Sequence, residues 1–170
     1  KYFKHTFNSY DIKYFNSFDY IITDSNFSKA NVNFSLTEKN INTINDETFY
    51  LAICSGFISK NQNNEITTLG RGGGDYSAAL YGAFTNSDYV EIWTDVNGIM
   101  TSDPRIIKNA KTINNITFDE MMELSHYGAN VIYAPTITPL YKKNISLYVK
   151  NTFNPKFKGT LISSEIIKNN

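Results

Sequence analysis

The stretch Thr67 to Tyr76 reads TTLGRGGGDY and packs four of the chain's nine glycines into the five positions from Gly70 to Gly74. Glycine is disfavoured inside helices and strands by roughly 1 kcal/mol relative to alanine, so such a cluster marks a turn between two elements. Upstream, Thr67–Leu69 has the β-forming character of a strand end. Downstream, Asp75 to Phe84 has the apolar spacing and alanine content of a helix. Strand, glycine turn and helix in that order point to an α/β unit. They also aim backbone N–H groups out of a helix N-terminus, where anions such as phosphate bind. The other reading makes the glycines a tight turn and Asp75 the N-cap of the helix. No Gly-Lys-Ser/Thr follows, so this is not a P-loop, and the spacing differs from the dinucleotide fingerprint.

The remaining pattern extends the α/β expectation along the chain. Lys1 to Ser9 reads as the end of a helix, Ile12–Phe15 and Tyr20–Thr23 as strands, and Asp24–Ser25–Asn26 as a turn. Thr48 to Phe57 is a nearly continuous apolar run and predicts a strand buried on both faces. Asn61 to Glu65 is a polar loop, and Tyr89 to Trp93 a further strand. Thr117-Phe-Asp-Glu120 matches a capping box opening a helix through His126, with Gly128 as its stop. Ala129 to Tyr141 predicts a helix interrupted at Pro135 and Pro139, before strands at Ile145–Val149 and Thr160–Ser163. Strands alternating with helices imply a layered fold with a mostly parallel sheet.

A second constellation, EIWTDVNGIMTSDPR, runs from Glu91 to Arg105. Ligands of open α/β sheets bind beyond the carboxyl ends of strands, which is where Thr94 and Asp95 fall. Asp95 there can accept hydrogen bonds from a ribose or an amine, and Arg105 can reach a phosphate. The alternative is a polar loop with a helix start at Asp103–Pro104. The chain has only two arginines, Arg71 and Arg105, one in each motif. Arginine offers the planar fork that carboxylate and phosphate need, so Arg71 can clamp a carboxylate, the other reading being two ordinary surface arginines.

Composition narrows the classes of function. Lys+Arg and Asp+Glu are both 16, and no basic stripe speaks for nucleic acid. No apolar stretch approaches the ~20 residues of a membrane span, and no signal peptide is expected. The single Cys54 reads as a buried thiol in a reducing compartment. Two histidines, His5 (expected exposed) and His126 (a helix-end histidine), lie too far from it in sequence for a zinc site, so no residue is assigned to a metal. Asp119, Glu120 and Glu123 read as a solvated helix face, and Trp93 as core or pocket wall. The chain does not begin with Met and is expected to be a cut piece of a longer protein.

Taken together, six stretches carry a resemblance: TDSNFSKANVNF (Thr23–Phe34), SGFIS (Ser55–Ser59), TTLGRGGGDYSAAL (Thr67–Leu80), VEIWTDVNGIMTSDPR (Val90–Arg105), ELSHYGANVIYAPTITP (Glu123–Pro139) and VKNTFNPKFKGTLIS (Val149–Ser163). In order and spacing they resemble the aspartate kinases of the amino acid kinase family. The wording of the last two is similar to the bifunctional aspartokinase–homoserine dehydrogenases. The resemblance implies an amino acid kinase-like three-layer α/β sandwich with a mostly parallel central sheet. It implies that residues 1–163 form the C-terminal part of the catalytic domain, including its nucleotide-binding half, and that 164–170 begin a linker to a regulatory domain.

The implied activity is transfer of the γ-phosphate of ATP, with Mg²⁺, onto the side-chain carboxylate of L-aspartate. That is the first step toward lysine, threonine and methionine, run by a cytoplasmic homo-oligomer without nucleic-acid or membrane partners. Arg71 and Phe57 are implied to bind aspartate. Asp75 is implied to organise the catalytic lysines and phosphates, and Gly72, Gly73 and Gly74 to give backbone donors to the phosphoryl group. Thr94, Asp95, Met100, Arg105 and Asn130 are implied to line the nucleotide site, which would share one cleft with the glycine cluster. The chain departs from the family's pattern at Asn130, where the family has a lysine, and at Gly74, where it has a serine. The family's Lys-Phe-Gly-Gly segment and a substrate-binding Glu expected a few residues before Lys1 are absent from this stretch, which by itself is expected to be inactive. A non-catalytic, nucleotide-binding remnant is the alternative that Asn130 favours, and a kinase acting on another acid, carbamate or a nucleotide is a third.

Overall fold

The computed structural model describes residues 5–6, 10–102, 106–126, 132–133 and 137–165. The chain divides into two compact units, Lys1–Ser77 and Ala78–Asn170. In the first, β1 (Ile12–Phe15) pairs in parallel with β3 (Leu51–Cys54), Ile12 opposite Leu51. A second sheet joins β2 (Ile22–Thr23) in parallel to β4 (Ile58–Asn61), which forms an antiparallel hairpin with β5 (Ile66–Thr68). Asn64 takes the left-handed conformation at the hairpin tip (φ 61), which asparagine tolerates better than most residues.

Two helical segments separate these strands. α1 (Ser17–Tyr20) is a single turn capped by Asn16, whose side chain accepts from the Phe18 N–H. The sequence reading had extended the next strand back to Tyr20; the cap ends it at β2. α2 (Phe34–Asn42) begins at Asn33, whose Oδ1 accepts from the Leu36 N–H at 3.1 Å, and runs into a 3₁₀ turn at Thr43–Asp46. Ile21, Ile41 and Ile44 are buried. Each contributes about 1.5–3 kcal/mol relative to exposure, and Ile41 anchors a helix whose other large apolar side chains, Phe34 and Leu36, are exposed.

The expected ten-residue strand from Thr48 to Phe57 is corrected. Only Leu51–Cys54 is extended, and all four residues are half-buried. The run breaks at Gly56–Phe57, where Phe57 adopts φ 70. Cys54 is accordingly half-buried rather than buried.

In the second unit, a four-stranded sheet has the order β6 (Tyr89–Thr94), β8 (Ser146–Asn151), β9 (Thr160–Ser163), β7 (Asn115–Thr117). β6 pairs with β8 in parallel, β8 with β9 antiparallel and β7 with β9 in parallel. Four of the six ladders among the described residues are therefore parallel, as the alternating pattern predicts. β8 alternates half-buried and buried positions along its length. Its inward Leu147 and Val149 are fully buried with Leu80, Ala83, Met121, Leu140 and Ile162. Truncating Leu147 to Ala would cost about 2–5 kcal/mol.

α3 (Gly73–Phe84) opens two residues earlier than expected, so Asp75 lies inside its first turn rather than at the N-cap. α4 (Phe118–His126) starts with the expected capping box: Thr117 Oγ1 accepts from the Glu120 N–H at 3.2 Å, and Glu120 Oε2 accepts from the Thr117 N–H at 2.8 Å. The Thr117 N–H first, and the Thr117 hydroxyl donating to the same Glu120 Oε2 at 2.8 Å second, hold the Glu120 carboxyl below its ordinary pKa. Asp119, Glu120 and Glu123 are exposed as expected. α5 (Thr138–Lys143) carries Pro139 in its first turn, where a missing N–H is tolerated, and ends at Asn144 with φ 54. Gly128, Ala129 and Pro135 lie outside the described residues, as does Lys1–Ser9 apart from His5 and Thr6. His5 is exposed, as expected.

Candidate active site

The glycine segment folds as the sequence demands at two positions and for a packing reason at a third. Gly70 and Gly72 adopt φ +71 and +70, conformations that strain residues with a Cβ. The Gly73 N–H donates to the Gly70 carbonyl at 3.0 Å and the Tyr76 N–H to the Gly72 carbonyl at 2.8 Å, closing the turn onto α3. At Gly73 the constraint is contact. A Cβ there would lie 2.6 Å from Phe57 Cδ2 and 3.1 Å from Leu69 Cβ. At Gly74 a Cβ would meet nothing within 4 Å, so the family's serine at this position has room here.

Phe57 thus packs its ring directly over Gly73. Its φ of 70 is a strained conformation for a bulky residue, costing about 1–3 kcal/mol. Both of its backbone groups are tied. The N–H donates to Ser77 Oγ at 2.8 Å, and the carbonyl accepts from the Leu69 N–H at 3.1 Å. Its side chain remains 43% exposed, so an apolar ring stands open beside a turn of backbone donors. Arg71 is exposed in the same turn.

Asp75 is half-buried in the first turn of α3, where the helix dipole favours its charge. Its burial raises the carboxyl above the ordinary value. Burial raises the neighbouring Tyr76 hydroxyl as well. A carboxylate kept partly out of water gains most from an arriving cation.

A third segment reaches the turn without having been assigned a role from sequence. Lys29 lies against Gly70, with its Cγ 3.2 Å and its Cα 3.4 Å from where a Gly70 Cβ would stand. The 24–31 loop is held there by Asp24, whose carboxylate accepts from the Asn31 side chain at 2.6 Å and from the Asn26 and Asn31 N–H groups. The Asn31 side chain is the main cause of the lowered Asp24 pKa. Backbone bonds Ala30 N–H to Thr68 carbonyl and Thr68 N–H to Phe27 carbonyl, both 2.9 Å, fasten the loop to β5. The turn signal at Asp24–Asn26 was legible; its approach to Gly70 was not, because no local pattern encodes it.

In the second unit, Thr94 ends β6 and its carbonyl accepts from the Thr152 N–H at 2.8 Å. Its hydroxyl donates to Asp95 Oδ1 at 3.2 Å, and Asp95 is exposed. The turn that follows is fixed from behind by β8 and β9. Asn151 Nδ2 donates to Asn97 Oδ1 at 2.8 Å, and Thr160 Oγ1 accepts from the Ile99 N–H at 2.8 Å while donating to the Ile113 carbonyl at 2.6 Å. Met100, half-buried, bridges to Thr112. Thr94, Asp95 and Met100 thus belong to one braced segment beyond a strand's carboxyl end. Arg105 and Asn130 lie outside the described residues. Trp93, expected as core or pocket wall, is instead 44% exposed, its Nε1 donating to Glu91 and Lys150 lying over its ring.

Among the described residues no three His, Cys, Asp or Glu side chains gather into a metal cage. Magnesium in phosphoryl-transfer sites is held by one or two carboxylates and the nucleotide's own phosphates, a requirement that Asp75 or Asp95 fits. No helix among the described residues is long and apolar enough to cross a membrane.

Against known proteins, a model of the amino acid kinase family matches residues 4–151. The bifunctional aspartokinase/homoserine dehydrogenase of Buchnera aphidicola is 41% identical over 140 residues, 82% of this chain and 17% of that protein. The aspartokinase of Rickettsia prowazekii is 43% identical over 148 residues, 85% of this chain and 32% of that protein. The chain therefore spans a third or less of these curated relatives. Among solved structures, Escherichia coli aspartokinase III in complex with aspartate and ADP superposes with a TM-score of 0.85 at 31% identity, over 95% of this chain and 36% of that one.

Proposed function

The chain belongs to the amino acid kinase family, and from that premise we propose that it is part of an aspartate kinase, which transfers the γ-phosphate of ATP to the side-chain carboxylate of L-aspartate. The observation that carries this reading is the Phe57–Gly73 contact. It sets an exposed ring and Arg71 beside a turn of backbone donors at a helix N-terminus, in a chain similar to an aspartokinase that was captured with aspartate and ADP.

The chemistry brings one anion to another, so catalysis is chiefly positioning and charge neutralisation. Arg71 holds a substrate carboxylate through its guanidinium fork, and Phe57 walls that pocket. The N–H groups of Gly72 and Gly74 face the transferring phosphoryl oxygens, whose charge they stabilise, while Gly73, its N–H closed onto the Gly70 carbonyl at 3.0 Å, holds the turn that carries them. Asp75 orients cationic groups around the phosphates; its raised pKa falls when they arrive. Thr94, Asp95, Met100, Arg105 and Asn130 hold the nucleotide. Mg²⁺, entering with ATP, supplies neutralisation of the phosphate charge.

The test is ADP release that depends on L-aspartate, measured with the protein that carries this chain. Aspartate-dependent turnover supports the reading, and turnover with carbamate or a nucleoside monophosphate instead of aspartate overturns it. One residue favours a second reading. Asn130 replaces the family's lysine with a neutral amide, which suits a nucleotide-binding remnant without phosphoryl transfer. Binding of MgATP and aspartate without turnover, unrepaired by Asn130→Lys, would select that reading.

A further inference from the structure

Ser77 was given no role by the sequence, and the reading above does not use it. It is buried, 2% exposed, on the inner side of α3's first turns. Its hydroxyl works in both directions at once. Oγ accepts from the Phe57 N–H at 2.8 Å and donates to the Gly73 carbonyl, one helical turn back, at 2.8 Å. A serine in a helix commonly makes the second bond alone, and it slightly weakens the helix by doing so. Here that bond fixes the hydroxyl so that its lone pair faces an N–H outside the helix.

The N–H it receives belongs to the one bulky residue among the described residues with φ in the left-handed region. That conformation persists only where the surroundings over-determine it. The surroundings consist of the Ser77 hydroxyl on the N–H side, the Leu69 N–H on the carbonyl side, and Gly73 beneath the ring. Leu69 makes its bond through backbone, which no substitution at Leu69 other than proline removes. Among the described residues Ser77 is therefore the only side chain whose hydrogen bond holds the Phe57 backbone, and the same atom grips the carbonyl of Gly73. One hydroxyl sets both the wall and the floor of the acid pocket.

We propose that Ser77 is a positioning residue for the acid substrate: by joining the Phe57 N–H to the Gly73 carbonyl, it keeps the strained Phe57 ring in place beside Arg71. The inference rests on the reading of Phe57 and Arg71 as the acid-binding pair. Ser77 touches no substrate and acts through Phe57. Its loss moves acid recognition and leaves nucleotide affinity alone, since the bonds bracing Thr94 to Met100 come from Thr152, Asn151, Thr160 and Thr112.

The experiment compares Ser77→Ala and Ser77→Thr in the whole protein that carries this chain, by kinetics in both substrates and by hydrogen exchange at the Phe57 amide. KM does not depend on the fraction of folded enzyme, so it separates positioning from loss of stability. The expected result is a rise of about tenfold in the aspartate KM for Ser77→Ala, the loss of one net hydrogen bond. The ATP KM should stay within about twofold, Phe57 should exchange faster, and Ser77→Thr, which keeps the hydroxyl, should restore the aspartate KM and the protection of Phe57. Should the alanine variant fail to fold, Ser77→Cys keeps the volume with weaker bonds and takes its place. An unchanged aspartate KM, or equal shifts in both KM values, overturns the proposal. If the wild type turns over no aspartate, the functional reading fails. Ser77 is then judged on exchange alone: unchanged protection of Phe57 in the variant refutes its positioning role, and lost protection with threonine rescue sustains it.

Discussion

Gly73 and Gly74 are adjacent, both in the first turn of α3, and the structure gives them opposite tolerances. Alanine at either gains the same helix propensity, at most about 1 kcal/mol and less this close to the end. That gain cancels when the two variants are compared. What remains is the Cβ contact. At Gly74 it meets open space; at Gly73 it stands 2.6 Å from the Phe57 ring and 3.1 Å from Leu69 Cβ. The ring can swing, being partly exposed, but Leu69 is 5% exposed and its Cβ moves only with its backbone. Overpacking of this kind costs about 1–3 kcal/mol. Gly74→Ala should therefore be more stable than Gly73→Ala by that amount, roughly 2–12 °C in Tm for a protein region of this size. Thermal unfolding followed by circular dichroism reads the difference, and aspartate affinity should fall in Gly73→Ala alone, because displacing the ring opens the pocket wall. Equal Tm values for the two variants, or a less stable Gly74→Ala, would show that the Phe57–Gly73 packing is not as described.

Three further outcomes are expected. Arg71→Lys should raise the aspartate KM more than the ATP KM, because an ammonium offers a point charge where a guanidinium offers a fork; a lowered ATP affinity with the aspartate KM unchanged would place Arg71 elsewhere. Asp75→Asn should abolish turnover and yet gain stability relative to wild type as pH rises from the ordinary carboxyl range through the raised folded pKa of Asp75. Its folded pKa lies above the unfolded value, so the folded state holds the proton more tightly and wild type loses stability as pH climbs through the folded pKa; a Tm difference independent of pH would contradict the desolvated carboxyl. Asn130→Lys should raise kcat about tenfold to a hundredfold, the worth of one charge-assisted hydrogen bond near the transferring phosphoryl group, unless Lys108 or Lys111 already fills that place, in which case alanine at the compensating lysine should abolish activity in steady-state assays.

What was legible in the sequence is what is encoded locally. The capping box at Thr117 and Glu120 lies within four residues and appears as expected. The strands at Ile12–Phe15, Tyr89–Thr94 and Thr160–Ser163 are carried by their own β-formers. α2 escaped notice because FSLTEKNIN buries only Thr37 and Ile41, leaving too thin an apolar stripe to register as a period. The start of α3 was set two residues late because glycines discourage helix; Gly73 is helical there because Phe57 leaves no room for any side chain. At the site, residue types and motif order pointed to the glycine turn and to Thr94–Asp95. The left-handed Phe57, the Ser77 bridge and the approach of Lys29 to Gly70 each depend on partners 20 or more residues away, which no local pattern expresses.

The parallel pairing of β6 with β8 has a consequence for how the chain is made. Tyr89 waits for Ser146 and Thr94 for Asn151. At a ribosomal rate of about 5–20 residues per second, β6 therefore emerges roughly 3–11 s before its partner strand exists. For that interval its edge toward β8 is unsatisfied, and Ile92, buried in the finished sheet, rides on a strand that cannot yet cover it. Parallel ladders of high sequence separation also close slowly once complete. Nascent β6 is thus the stretch of the second unit most in need of chaperone cover, and slowing translation between codons 95 and 145 should lower soluble yield more than the same slowing after codon 151.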